Sequence, residues 1–195
     1  EISLGLVGSE MCIRDSILAG GKSTRMGSDK CLLQVDGVAC IQRVAMTLAE
    51  AGLEPIRISV ASPEHMERYG RVLDSSLQVE WVVDSNPYAG PIEAILDALT
   101  DPFCNDPLQI APVDVPWLEM ELLIGLEGGI GDCKVAMPVC SGRTHPLLAL
   151  VRPEVAGLVG RNRRPLREQF NEMDHVLVEV REEVVRNVNQ PSDLE

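Results

Sequence analysis

A glycine pair followed by three cations lies close to the start of the chain. The stretch at 18–30 reads LAGGKSTRMGSDK and contains, in order, Gly20, Gly21, Lys22, Arg25 and Lys30. Glycines let a backbone approach a ligand closely, and the amide groups of a glycine-rich turn after a strand form a nest for anions. Lys and Arg add the positive charge that phosphate groups need. Neither GxxxxGK[ST] nor GxGxxG is matched. The stretch therefore indicates a phosphate-binding loop, with a solvated basic loop as the alternative.

A second feature is a carboxylate enclosed by prolines. Asp114 lies between Pro112 and Pro116, which restrict the backbone on both sides of it. Because it follows an apolar run, we expect it at the carboxyl end of a strand, where ligands bind to open α/β sheets. A single carboxylate there can hold Mg²⁺ together with substrate phosphates. A turn carboxylate or helix cap is the alternative.

The composition restricts the class of protein. The chain has 195 residues, of which 17 are Lys or Arg and 30 are Asp or Glu, so its formal net charge is −13. Hydrophobic residues make up 45% and charged residues 24%, the balance of a globular domain. We expect no nucleic-acid partner, because phosphate contacts need clustered cations. We expect no membrane partner either, since no apolar run approaches the roughly 18 to 20 residues of a membrane-spanning helix.

The cysteines and histidines predict no metal centre. Six cysteines form no CxxC pair, and the three histidines are far apart in the sequence. We interpret the cysteines as reduced thiols of a cytoplasmic protein, because nothing resembles a signal peptide.

The remaining pattern predicts a three-layer α/β fold around a mostly parallel sheet. Apolar, β-branched runs predict strands at 56–61, 79–83, 108–110, 135–139, 147–151 and 176–180. Helical spacing and opening prolines predict helices at 39–51, 63–69, 91–99, 118–126 and 153–159. No linker or repeat interrupts the series, so we assign one domain to 16–195.

The first sixteen residues do not fit this pattern. A strand buried on both faces is nearly all apolar, yet Arg14, Asp15 and Ser16 precede Leu18. One reading is an exposed, slightly irregular start to the first strand. The other is that 1–15 are not native to this fold, for example as a translated cloning or sequencing artefact.

The loop resembles the signature of nucleotidyltransferases with the glycosyltransferase-A-type, Rossmann-like fold, and most closely that of the molybdenum cofactor guanylyltransferase family. Four further segments resemble the family's motifs in the same order, so the resemblance covers about 17–195. They are VVD at 82–84, AGPI at 89–92, APVDVP at 111–116 and NVNQP at 187–191.

The resemblance implies an Mg²⁺-dependent enzyme that transfers GMP from GTP to molybdenum-bearing molybdopterin and releases pyrophosphate. Other cofactor-assembly or acceptor proteins would be its partners. The implied nucleotide-binding residues are Leu18, Ala19, Gly20, Gly21, Lys30, Asp84 and Asp114. The implied catalytic residues are Arg25, Lys30 and Asp114, with Lys22 as a helper and Asp114 as the Mg²⁺ ligand. The implied acceptor-binding residues are Gly90, Pro91, His145, Asn187 and Asn189.

Several alternatives stay open beside this resemblance. Ser62 stands where family members often carry an Asn that reads guanine, so a cytidylyltransferase of the same pathway, or another small-molecule nucleotidyltransferase, is the alternative enzyme. A non-catalytic pterin carrier or regulatory partner is the alternative of another class. Asp84 could serve only as a turn former, and Pro146 after His145 could serve only to shape a strand. Four arginines could bind the acceptor phosphate or form a solvated loop: Arg161, Arg163, Arg164 and Arg167.

Overall fold

The computed structural model describes residues 13–21, 29–100, 106–160, 164–189 and 193. Its strands are β1 Arg14–Leu18, β2 Gln34–Val35, β3 Val38–Ala39, β4 Ile56–Val60, β5 Val79–Val83, β6 Leu108–Pro112, β7 Val135–Cys140, β8 Arg143–Thr144, β9 Leu150–Val151 and β10 His175–Glu179. Its helices are α1 Cys40–Glu50, α2 Pro63–Gly70, α3 Pro91–Leu99, α4 Met120–Ile130 and α5 Leu166–Asn171. Single turns of 3₁₀ helix occur at Lys30–Leu32, Pro146–Leu148, Pro153–Gly157 and Glu182–Val185.

The main sheet is mostly parallel, as predicted. Its strand order is β10, β7, β9, β6, β1, β4, β5, and β8 pairs with β7. The short strands β8 and β9 run antiparallel to their neighbours, whereas the other pairs in this sheet are parallel. β2 and β3 form a separate antiparallel pair. The predicted α/β fold class is thereby confirmed.

Apolar side chains alternate along the strands and fill two layers. In β6, Ala111 belongs to one core cluster, and Leu108 and Ile110 belong to the other. The first cluster contains side chains from α1 and α4, and the second contains side chains from α3 and α5. The sheet is therefore covered by helices on both faces.

Helix α1 shows why local pattern was sufficient for part of the fold. Ile41, Val44, Ala45 and Leu48 recur on one side and are fully buried. The helix ends just ahead of Gly52, whose φ of +82° favours glycine.

Three predicted elements need correction. The predicted strand at 147–151 is a 3₁₀ turn at Pro146–Leu148 followed by the short antiparallel β9, because an apolar run specifies burial but not strand direction. The predicted helix at 153–159 is only a 3₁₀ turn, Pro153–Gly157. The predicted helix at 118–126 begins and ends later, as α4, and α5 was not predicted.

Of the two readings of the start of the first strand, the exposed one is wrong. β1 pairs with β6 from its first residue, and Asp15 and Ser16 are each only 1% exposed. Within the described residues, no helix is long and apolar enough to cross a membrane.

Candidate nucleotide site

The carboxyl ends of β1, β5 and β6 meet around one cavity of about 350 Å³. Parallel strands bring these ends to one edge of the sheet, where open α/β sheets bind ligands. The cavity is lined by Leu18, Ala19, Gly20, Gly21, Lys30, Cys31, Asp84, Tyr88, Gly90, Pro91, Ala94, Pro112, Val113, Asp114 and Leu147. Each described residue that the resemblance implies for nucleotide binding is among them.

Gly20 lies very close to the Asp84 side chain inside this cavity. A Cβ atom at Gly20 would lie 2.2 Å from Oδ2 of Asp84, a separation that real side chains do not reach. Asp84 is held after β5 by a hydrogen bond of 2.9 Å from its amide to the carbonyl of Val60. Burial, and then the nearby charge of Asp97, raise the pKa of Asp84 to about 6.

Lys30 and Asp114 form an ion pair at the edge of the cavity. The ammonium of Lys30 lies 2.9 Å from Oδ2 of Asp114 and donates to Oδ1 of Asn189 at 3.0 Å. The amide of Val188 donates to the backbone carbonyl of Asp114 at 2.8 Å. The segment around Asn189 is thereby attached to the loop that carries the carboxylate.

The donor set at Asp114 fits a magnesium ion that arrives with phosphates. No group of three or more His, Cys, Asp or Glu side chains gathers at a point within the described ranges, so no all-protein metal cage is formed there. Mg²⁺ typically takes one or two carboxylates and completes its shell with substrate phosphates and water. Asp114 supplies such a carboxylate, and its present partner is a cation.

A second cavity of about 730 Å³ adjoins the first and shares Pro112 and Leu147 with it. His145, Asn187 and Asn189 line it, together with Arg143 and Arg186. Burial, and then the charge of Arg143, lower the pKa of His145. Of the residues implied for the acceptor, Gly90 and Pro91 lie in the first cavity instead.

For the arginines at 161–167, which could bind the acceptor or form a solvated loop, the position of Arg164 speaks against acceptor binding by that residue. Arg164 pairs with Glu172 and lines a cavity with Lys134 and Asp174, at the amino ends of β7 and β10. That is the opposite end of the strands from Asp114, about 15 to 20 Å away. Arg164 is therefore not positioned for an acceptor beside Asp114. Arg25, Lys22, Arg161 and Arg163 lie outside the described residues.

Tyr88 and Arg143 are among the lining residues that sequence reasoning missed. Tyr88 lines the first cavity from a backbone with φ of +65°, which is unusual for a bulky side chain. Arg143 lines the second cavity from β8. Neither belonged to a motif, and an aromatic or a cation in a loop gives no local signal of its position.

A comparison with protein families agrees with this arrangement. Residues 16–176 match the family model described as MobA-like NTP transferase domain. The chain belongs to this family. The resemblance inferred from the loop and its companion motifs is thus confirmed.

Members of the family and related folds cover nearly the whole chain. A probable molybdenum cofactor guanylyltransferase of Methanothermobacter thermautotrophicus is 28% identical over 192 residues, 92% of this chain and 95% of that protein. The structure of molybdopterin-guanine dinucleotide biosynthesis protein A from Archaeoglobus fulgidus superposes with a TM-score of 0.70 at 22% identity, over 93% and 94% of the two chains. The structure of a 4-diphosphocytidyl-2C-methyl-D-erythritol synthase from Anaerococcus prevotii superposes with a TM-score of 0.68 at 10% identity, over 93% and 94%. The fold is therefore shared with a protein named for a cytidyl compound.

Proposed function

We propose that this protein transfers GMP from GTP to the phosphate of molybdenum-bearing molybdopterin and releases pyrophosphate, as an Mg²⁺-dependent enzyme. The observation that carries the proposal is the meeting of Gly20, Lys30 and Asp114 around one cavity beside a second, larger one. The relative named molybdenum cofactor guanylyltransferase supports the choice of substrates.

The nucleotide would occupy the first cavity. Gly20 and Gly21 allow the nucleotide to lie against the backbone, because they place no side chain over it. Lys30 would bind the triphosphate after exchanging its bond to Asp114 for phosphate oxygens. Asp84 would accept a hydrogen bond from the nucleoside. That bond would replace the hydrogen bonds to water that its carboxylate loses on burial.

The chemistry is an in-line displacement at the α-phosphorus. An oxygen of the acceptor phosphate forms the new P–O bond, and the bond to the pyrophosphate oxygen breaks. Negative charge grows on oxygens that are already anionic, so positioning and electrostatic stabilisation dominate catalysis. Lys30, and Arg25 by resemblance, would stabilise the leaving pyrophosphate. Bound at Asp114, Mg²⁺ would neutralise phosphate charge and align the triphosphate.

The acceptor would occupy the second cavity. Asn187 and Asn189 offer amide donors and acceptors, and Arg143 and Arg186 offer charge for a phosphate. His145 would act as a neutral ring at physiological pH, since its pKa is lowered. The shared wall at Pro112 and Leu147 would let the acceptor phosphate meet the α-phosphate.

The alternative enzyme is a cytidylyltransferase, which the serine at position 62 favours. Ser62 precedes α2, and its hydroxyl lies 3.5 Å from Nδ1 of His65. A serine has a shorter reach toward a base than the asparagine common in the family.

Pyrophosphate release distinguishes these functions. The purified protein is incubated with Mg²⁺, a molybdopterin source and each nucleoside triphosphate in turn. We expect release with GTP that depends on the acceptor. Release with CTP alone would replace the guanylyl assignment by the cytidylyl one. Pterin binding without release from any nucleotide would favour the non-catalytic carrier.

A further inference from the structure

A part-buried contact joins helix α2 to the turn that carries Lys30. The hydroxyl of Tyr69 donates to Oδ2 of Asp29 at 2.8 Å, and a guanidinium nitrogen of Arg68 lies 3.1 Å from the same oxygen. The other carboxylate oxygen of Asp29 accepts from the amide of Cys31 at 3.1 Å. Asp29 therefore connects two neighbouring residues of α2 to the turn Lys30–Leu32.

The two hydrogen-bonded side chains of this contact are largely buried. Tyr69 is 2% exposed, and the side chain of Asp29 is 12% exposed. The ring of Tyr69 stacks on His65, with ring centroids 5.3 Å apart and planes inclined by 5°. A buried hydroxyl that loses its acceptor carries a desolvation cost, so Tyr69 and Asp29 hold each other in place.

The same contact lies next to the backbone of Lys30, the proposed phosphate-binding residue. Lys30 directly follows Asp29, which is the N-cap of its turn, and its ammonium reaches Asp114 and Asn189 on the other side. A lysine side chain has four rotatable bonds and reaches many positions unless its backbone is fixed. The side chain of Cys31, the next residue of the turn, is only 3% exposed, and its packing in the core also holds the turn in place.

We propose that Tyr69 and Asp29 are positioning residues, which fix the backbone of Lys30 so that its ammonium meets the triphosphate. Neither residue touches the nucleotide in this scheme. The inference rests on the proposed function, in which Lys30 binds the phosphates.

The test is a double-mutant cycle on nucleotide binding. Tyr69→Phe removes only the hydroxyl, and Lys30→Met removes the ammonium while keeping an unbranched apolar chain. The dissociation constant of Mg·GTP is measured by calorimetry for the parent, both single variants and the double variant. We expect Tyr69→Phe to weaken binding about fivefold to tenfold in the parent and less than about twofold in the Lys30→Met background, because it acts through the ammonium.

A matched control separates positioning from general loosening. Phe170→Leu removes packing from the core cluster on the other face of the sheet, so it lowers the melting temperature without touching Asp29. We expect its Mg·GTP dissociation constant to stay within about twofold of the parent value. A loss of affinity in Phe170→Leu comparable with that in Tyr69→Phe would overturn the inference.

A second pair of variants tests the carboxylate itself. Asp29→Asn keeps one oxygen, which can still accept from the amide of Cys31, and its NH2 group can donate to the hydroxyl oxygen of Tyr69, whereas Asp29→Ala removes both partners. We expect the asparagine to retain most of the affinity that the alanine loses. Equal losses in the two variants would contradict a positioning role that depends on these hydrogen bonds.

The outcomes keep the inference distinct from the proposed function. A Lys30→Met variant with unchanged affinity would overturn both, because Lys30 would then not bind the triphosphate. Weakened binding in Lys30→Met but unchanged binding in Tyr69→Phe would overturn the positioning role alone. An equal loss from Tyr69→Phe in both backgrounds would also overturn it.

Discussion

Two aspartates at opposite ends of the sheet show how the same side chain has different physical consequences. Asp15 lies near the amino end of β1, is 1% exposed, and accepts a hydrogen bond of 3.3 Å from the amide of Arg57 on Oδ1. Its Oδ2 has no hydrogen-bond partner within the described ranges, and burial raises its pKa well above the ordinary value. Asp114 follows β6, pairs with Lys30 at 2.9 Å and lines a cavity.

The difference lies in what surrounds each carboxylate. A buried charge with an incomplete set of partners costs stability. Asp114, by contrast, is paired with the cation Lys30 and lines an open cavity, so it can exchange this partner for a bound metal ion. Ser16 shares the condition of Asp15, since its Oγ also lacks a partner among the described residues, whereas Arg14 is partly exposed and its guanidinium lies 3.6 Å from a carboxylate oxygen of Glu80. We infer that the amino-terminal half of β1 is a poor match to its buried position, whereas the carboxyl ends of the strands form a site.

Removing the carboxylate at the site end should have the largest effect. Asp114→Ala removes the proposed metal ligand, so we expect Mg²⁺-dependent pyrophosphate release to fall about 10³-fold, the equivalent of several kcal/mol of lost charge stabilisation. The measurement is the initial rate at saturating Mg²⁺ and GTP. Asp132→Ala, an exposed aspartate before β7, is the control and should keep the parent rate. Full turnover in Asp114→Ala would place the ligand elsewhere.

Replacing Asp15, the aspartate at the buried end, should improve a property of the protein, its stability, where the first replacement removes activity. We expect Asp15→Val to raise the stability of the protein by about 2 kcal/mol and its melting temperature by about 6 °C, because an incompletely bonded carboxylate gives way to an apolar side chain. Nucleotide affinity should not change. Scanning calorimetry of both proteins checks this.

The pH dependence of that gain follows from the raised pKa of Asp15. The native state holds a proton that the unfolded chain releases, so the stability of the protonated form is lost as the pH rises above the ordinary range of aspartate. The gain from Asp15→Val should therefore be larger at pH 8 than at pH 4. A gain that is equal at both pH values, or absent, would contradict the assigned cost of burial.

Replacing Asp84 should raise the stability of the protein by less than replacing Asp15. It shares the burial penalty of Asp15 but lies at the site, and its pKa of about 6 exceeds the ordinary value. Stability gained from its protonated form is lost as the pH rises through about 6. We expect Asp84→Asn to raise the melting temperature of the nucleotide-free protein by about 2 °C at pH 8 and by less at pH 5. An equal shift at both pH values would contradict this titration.

The local sequence pattern was sufficient to predict a feature where a residue type has a single physical role. The spacing of Ile41, Val44 and Leu48 predicted α1, and the prolines around Asp114 pointed to a fixed carboxylate. The glycine pair was recognisable because close backbone approach needs glycine. Gly20 lies close to Asp84, and its approach to a ligand stays a prediction.

The features that the sequence did not predict depend on contacts between residues that are distant along the chain. The bond of Asn189 to Lys30, and the burial of Asp15 beside β4 and β6, arise from chain segments that local pattern does not bring together. The direction of β9 likewise depends on its insertion between β6 and β7. Gly90 and Pro91 line the first cavity, and a motif does not state which cavity it faces, so their part in binding the acceptor stays a prediction.

The link between Val188 and Asp114 has a consequence for how the site is assembled during synthesis. Val188 is fully buried, and its amide holds the carbonyl of Asp114 although a large part of the chain separates them. Contacts between residues so distant in sequence form late, since the intervening chain must first be ordered. A nascent chain that has not yet released residue 188 from the ribosome cannot close the loop around Asp114, so its sheet can form before its site is complete.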